Sequence, residues 1–162
     1  MKVRTIVAVA VLLAVSLPVL GASPAAAGFD SLKTLAGTWE FKGPDGKLAQ
    51  VTLRLVSGGS AVMEELPHDS MVTMYHLNND KLVMTHYCSA MNQPRMQADI
   101  SSDGKTITFN FLDATNLASP KDGHMHQMVL TFKDKDHFSE QWGFSKDGKD
   151  IEHMTFEYAR KM

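Results

Sequence analysis

Met96-Gln97-Ala98-Asp99-Ile100-Ser101-Ser102-Asp103-Gly104-Lys105-Thr106-Ile107-Thr108-Phe109-Asn110-Phe111 is the stretch on which the fold turns. Asp103-Gly104 carries the chemistry of a tight hairpin, because glycine accepts the positive φ that such turns need. Folded back at that point, the chain pairs Ile100 with Ile107, Ala98 with Phe109 and Met96 with Phe111. The alternate positions pair Asp99 with Thr108 and Gln97 with Asn110. One face is wholly apolar and the other wholly polar. That is the pattern of an antiparallel wall with a core on one side and water on the other.

The same grammar extends in both directions. Strand-like runs occur at Thr38–Lys42, Gln50–Ser57, Ser60–Leu66, Met71–Leu77, Lys81–Cys88, Arg95–Ser101, Thr106–Leu112, His124–Lys133, Phe138–Phe144 and Ile151–Ala159. Between them stand turn formers: Pro44-Asp45-Gly46, Gly58-Gly59, Asn78-Asn79-Asp80, Asp134-Lys135-Asp136 and Asp147-Gly148. Ten strands joined mostly by hairpins predict an all-β protein, a single antiparallel up-and-down β-barrel, since closure removes the two free edges of a meander. A short N-terminal helix is predicted at Phe29–Leu35, with Asp30 as its cap and Phe29, Leu32 and Leu35 at helical spacing. Two longer connections, Ser89 to Pro94 and Asp113 to Gly123, are candidates for a rim over a cavity.

At 162 residues and 44% hydrophobic content the chain suits one domain. Sixteen basic residues against 18 acidic ones, with no basic cluster, argue against nucleic acid as a partner. Lys2 and Arg4 precede an apolar run from Thr5 to Gly21, and Ala25-Ala26-Ala27 follows as a small-residue cleavage signal. This order predicts a signal peptide over residues 1–27 and a barrel domain over 28–162, secreted or periplasmic, with no membrane span after cleavage. Cys88 is the single cysteine, so no internal disulfide can form; it reads as a small buried apolar residue.

The segment Leu35-Ala36-Gly37-Thr38-Trp39 resembles the Gly-x-Trp signature that opens the first strand of lipocalins and other calycin barrels. A short helix before it and Arg160 near the end of the chain complete the resemblance. It implies structural roles for Gly37, Trp39 and Arg160: the Trp lies across a closed barrel end and the guanidinium packs on its face, a contact of about 0.5–2 kcal/mol. The resemblance also implies a carrier of small molecules. The long loop and disulfides of many lipocalins are missing here.

Several strands put polar groups on the apparent inner face. A turn at Gly58-Gly59 pairs Leu55 with Val62, Leu53 with Glu64 and Val51 with Leu66. A three-residue loop at Asp134–Asp136 pairs Met128 with Trp142 and Leu130 with Glu140. Simple alternation along the eighth run places His124 and His126 with Met128, Leu130 and Phe132, and turns Met125 away. Glu64, His124, His126 and Glu140 are thus candidate cavity groups beside Met96, Phe109, Met128 and Trp142, with Leu53, Phe111 and Phe144 as further wall. A buried carboxylate needs a partner or a proton. Three roles stay open for Glu64 and Glu140: internal pairing with an imidazole or Arg95, holding a ligand's polar end, or metal binding.

His124 and His126, at i and i+2, have a spacing that can chelate zinc or copper, and thioethers favour copper(I). They are the candidate metal ligands. His76 and His86 share a face if the Asn78–Lys81 turn has three residues and lie on opposite faces if it has two. His153 near the chain end resembles the axial ligand of nitrobindin-type haem barrels, although Trp39 is followed by Glu40, Phe41 and Lys42 and not by the glycine-rich pattern of those proteins. No Gly-x-Ser-x-Gly, phosphate loop or His-Glu-x-x-His motif occurs, and no cofactor is required by the sequence. The leading expectation is a binding barrel for a small hydrophobic or amphipathic ligand. The alternatives are a metal- or haem-binding barrel using cavity histidines, and a small enzyme of isomerase type with a Glu–His acid–base pair.

Overall fold

A computed structural model describes residues 22–43, 45–66 and 70–162. The apolar run of the expected signal peptide, through Gly21, and Pro44 of the first predicted turn lie outside the described residues. Helix α1 (Pro24–Thr34) is followed by ten strands: β1 (Gly37–Lys42), β2 (Leu48–Val56), β3 (Ala61–Leu66), β4 (Met71–Asn78), β5 (Lys81–Tyr87), β6 (Gln93–Ile100), β7 (Thr106–Thr115), β8 (His124–Asp134), β9 (His137–Lys146) and β10 (Lys149–Arg160). Each strand pairs antiparallel with its sequence neighbours, and β10 returns to β1 to close the barrel. Closure is made by Trp39 opposite Arg160 and Glu40 opposite Ala159. No helix among the described residues is long and apolar enough to cross a membrane.

The deciding hairpin folds as its pattern requires, with Ile100 opposite Ile107, Ala98 opposite Phe109 and Met96 opposite Phe111. Leu53 lies opposite Glu64, and Leu130 opposite Glu140. Asn78 pairs with Lys81, so the turn between β4 and β5 has two residues, with Asn79 at φ 55°. His76 is therefore exposed on the outer face, while His86 is buried within the barrel.

The helix starts earlier than its hydrophobic spacing predicts. Ser23 accepts a hydrogen bond from the Ala26 amide, and Pro24 occupies the first turn, where its missing N–H costs nothing. These residues cap the helix in place of Asp30, and the additional turn buries Ala25 and Gly28 beside Phe29 and Leu32. The helix packs against β4, β5 and β6. The interior of the barrel near β1 and the end of β10 is filled by aromatic rings. Trp39 meets Phe138 edge-on at 4.7 Å, and Phe138 stacks on Tyr158 at 4.4 Å. Offset and edge-to-face contacts of this kind add about 0.5–1.5 kcal/mol each beyond the area they bury.

Register shifts interrupt the β6–β7, β8–β9 and β9–β10 ladders, and one of them shapes the mouth of the barrel. The β8–β9 ladder pairs Met125 with Phe144 and then Gln127 with Gly143, leaving His126 as the extra residue of a bulge. A bulge inserts one residue and so exchanges the faces on either side of it. Met125 thereby turns inward, contrary to the alternating pattern, and His126 turns outward over Gly143. A Cβ at Gly143 would lie 3.0 Å from His126 Nε2 and 3.5 Å from His153 Cε1.

Candidate functional site

Opposite the helix, the strand ends surround a cavity of about 210 Å³ lined by Leu66, Met71, His86, Ser89, Met125, Trp142, Met154 and Phe156. Strand register explains the convergence. Thr73 faces His86 across β4–β5, and Met71 stands two residues from Thr73 on the same face. Met154 faces Trp142 across β9–β10. The two sides meet where the His86 and Trp142 rings approach to 4.7 Å between centroids, tilted by 45°.

His86 is 2% exposed. Its Nδ1 lies 3.0 Å from the Thr73 hydroxyl, while its Nε2 has no hydrogen-bond partner among the described residues. Burial lowers the imidazole to about 4, so it is neutral near neutral pH.

Beyond Trp142 lies a buried polar layer. Trp142 Nε1 donates to Glu140 Oε2 at 3.0 Å, and the Tyr158 hydroxyl donates to the same oxygen at 3.3 Å. The Tyr75 hydroxyl donates to Glu64 Oε2 at 2.6 Å. The second oxygen of each carboxylate, Oε1, has no hydrogen-bond partner among the described residues. Burial pushes the Glu64 carboxyl up to about 7, against the lowering effect of the Tyr75 hydrogen bond. Burial also raises Glu140 well above the usual carboxylate range, and the neighbouring charge of Glu64 raises it further. The layer is thus a proton-holding pair of carboxyls under an apolar mouth.

The sequence-derived candidates fall into separate places. Glu64 and Glu140 face inward in the polar layer, and Trp142 joins that layer to the cavity. Met96, Phe109, Met128 and Leu53 are buried in the packed core and do not line the cavity. His124 is buried, but beside the long β7–β8 connection: its Nδ1 lies 2.7 Å from the Asp122 carbonyl and its ring 4.7 Å from Phe111. Phe144 packs by Gly123, outside the cavity lining. His126 is corrected outright: the bulge carries it to the outer face, 3.4 Å from Asp150 Oδ1. His124 and His126 consequently do not converge on one metal. Among the described residues no group of three or more His, Cys, Asp or Glu side chains is arranged to hold a metal ion.

Three further expectations change. His153 is half exposed and 2.9 Å from Asp150, on the outer wall and away from the cavity that an axial haem ligand would face. Arg95 pairs with Asp113 at the surface and leaves both buried carboxylates alone. Cys88 is half buried, in a turn where its carbonyl accepts from the Met91 amide.

The sequence reading missed Met71, Met125 and Met154 as cavity residues, and it left His86 unplaced. The signal for His86 was available in the Asn79-Asp80 turn. The one for Met125 was not, because a bulge leaves no mark in an alternation count. The two long connections do meet at this end of the barrel: Asn92, buried, donates to the Gly123 carbonyl at 2.8 Å.

No family model matches the chain, and no curated protein does. Among solved structures, the crystal structure of Rv2717c from M. tuberculosis is similar, with a TM-score of 0.52 at 16% sequence identity. The likeness covers 83% of this chain and 98% of that one. At this identity it is a likeness of fold.

Proposed function

We propose that this chain is an exported, lipocalin-like binding protein that holds a small hydrophobic or amphipathic molecule in the mouth of its barrel. The observation that carries the reading is the cavity itself. Among the described residues its walls are apolar except for Ser89 at the rim and one buried imidazole whose Nε2 has no partner there. Ligand sites share this composition: apolar lining that supplies burial, and a few polar groups that orient the guest. At about 210 Å³ the cavity lies below the volume of sites for drug-sized ligands, so the guest is small. A neutral His86 would meet the guest's carbonyl, hydroxyl or amine without burying a charge.

Export rests on the N-terminal sequence pattern, and N-terminal sequencing of the secreted protein checks it. Cleavage after Ala27 would remove the Ser23 cap and the buried Ala25 from the helix. Cleavage before Ser23 would keep both.

The binding reading is tested by native mass spectrometry of the purified protein, together with titration of a small fluorescent hydrophobic probe. One guest or probe molecule per chain is expected, with affinity reduced at least tenfold in Met154→Trp, which fills the cavity. A protein that arrives empty and binds no probe is a solid barrel, and the proposal then fails.

A further inference from the structure

We propose that the mouth cavity also binds a soft monovalent metal ion, copper(I) or its analogue silver(I), through His86 Nε2 and the thioethers of Met71, Met125 and Met154. This goes beyond the small-molecule reading and does not rest on it.

The donor set selects the metal. Three of the eight lining residues are methionines and one is a histidine. Thioethers are soft ligands that favour copper(I), whereas calcium and magnesium require oxygen donors. All four donors are neutral, and a single positive charge costs less to bring into an apolar cavity than a double one. Trp142 presents its indole beside His86. The electron-rich face of an indole attracts a cation.

Position argues further than composition. The four donors come from β4, β5, β8 and β10, so no single local pattern brings them together. Met125 joins them only because of the bulge at His126. Without that inserted residue, alternation would turn an imidazole inward at this point and the thioether outward. Bulges that re-aim a side chain are concentrated beside functional sites. His86 is prepared as a ligand in the usual manner: its Nδ1 is engaged by Thr73, which fixes the ring, and its Nε2 is left without a partner among the described residues. A metal at Nε2 would satisfy a buried nitrogen that has no partner among the described residues. Methionine's flexible side chain lets three thioethers close on an ion within a cavity larger than the ion itself.

The test is titration of the whole protein with silver(I), and anaerobically with copper(I) against a competing chelator, with methionine methyl groups labelled for NMR. One equivalent should shift the Met71, Met125 and Met154 methyl signals together and quench Trp142 fluorescence, while the core Met84 and Met96 signals stay in place. The triple variant Met71→Leu/Met125→Leu/Met154→Leu keeps volume and apolarity. It should bind silver(I) at least a hundredfold more weakly while its urea-unfolding midpoint shows a folded barrel. Shifts confined to the exposed Met91 and Met162, or equal affinity in the triple variant, overturn the proposal. If the triple variant does not fold, the methyl shifts of the native protein decide. Probe binding without metal binding sinks this inference alone, and metal binding without probe binding sinks only the small-molecule reading.

Discussion

The Arg160 guanidinium lies 4.1 Å above the Trp39 ring, and the two residues face each other across the β1–β10 seam. The same guanidinium donates to the carbonyls of Ala36 and Thr34 through Nη1 and Nη2, and to that of Lys135 through Nε. Gly37, at φ 142°, lets the chain pass beneath it; a Cβ there would lie 2.8 Å from Arg160 Nη1. One side chain therefore ties together the helix end, the first strand, the last strand and the β8–β9 turn.

Removing that tie should be costly. Arg160→Ala is expected to destabilise the protein by about 2–4 kcal/mol in urea unfolding, from the lost cation–π contact and the carbonyls left unpaired. Arg160→Lys should recover less than half of this, because an ammonium cannot reach three carbonyls in fixed planar geometry. A loss below about 0.5 kcal/mol for Arg160→Ala would mean that the seam holds without it.

The buried carboxyls set a pH dependence whose sign can be worked out. In the unfolded chain Glu64 releases its proton above its ordinary 4.5; in the folded chain it keeps it up to about 7. Between those values the folded state binds more protons, so the contribution of Glu64 is full below pH 4.5 and is lost as pH rises to 7. Glu140 acts in the same direction. Glu64→Gln, which carries no charge, should gain on the wild type by on the order of 3 kcal/mol between pH 4 and pH 8. Thermal melts of both proteins across that range measure the difference, and parallel curves would show that Glu64 titrates normally.

Tyr75→Phe removes the hydroxyl that donates to Glu64 Oε2 at 2.6 Å. Both oxygens of Glu64 then lack a hydrogen-bond partner among the described residues. A destabilisation of about 1–3 kcal/mol is expected at pH 8, where the carboxylate is ionised, and a smaller one at pH 4. A pH-independent loss would place the effect in packing and not in the hydrogen bond.

Burial holds His86 neutral down to about pH 4. Following the imidazole carbon signals by NMR should reveal a midpoint well below 6 for His86. Thr73→Val removes its hydroxyl partner and should broaden or shift the ring signals at constant pH. A His86 midpoint near 6.5 would mean that the ring is open to water.

The barrel was readable because its clearest hairpins obey two rules at once: alternation along the strand, and a turn residue at the right offset. Asp103-Gly104 and the Ile100–Ile107 face illustrate both, and even the depth of Glu64 and Glu140 follows from register counted out from a turn. The cavity was less readable. Met125 and His126 exchange faces at a bulge, and that exchange depends on how β8 meets β9, not on either strand's own pattern. Met71 opens β4, and Met154 follows the register shift between Asp150 and Glu152 in β10, so a single residue of shift decides what reaches the mouth. The helix start was missed for a local reason: hydrophobic spacing marks where a helix packs, whereas Ser23 and Pro24 mark where it begins.

The seam between β1 and β10 also governs how the chain reaches its folded form. A ring whose first and last strands are hydrogen-bonded to each other cannot shut until the last strand has been synthesised, so nothing short of the full set of strands is self-contained. Every truncated chain would present an unpaired β-edge, the feature most open to intermolecular pairing. Closure is also among the most long-range contacts the chain makes, which places it late and makes it slow. Folding speed and resistance to aggregation should accordingly be most sensitive at Trp39, Glu40, Ala159 and Arg160, far from the mouth of the barrel.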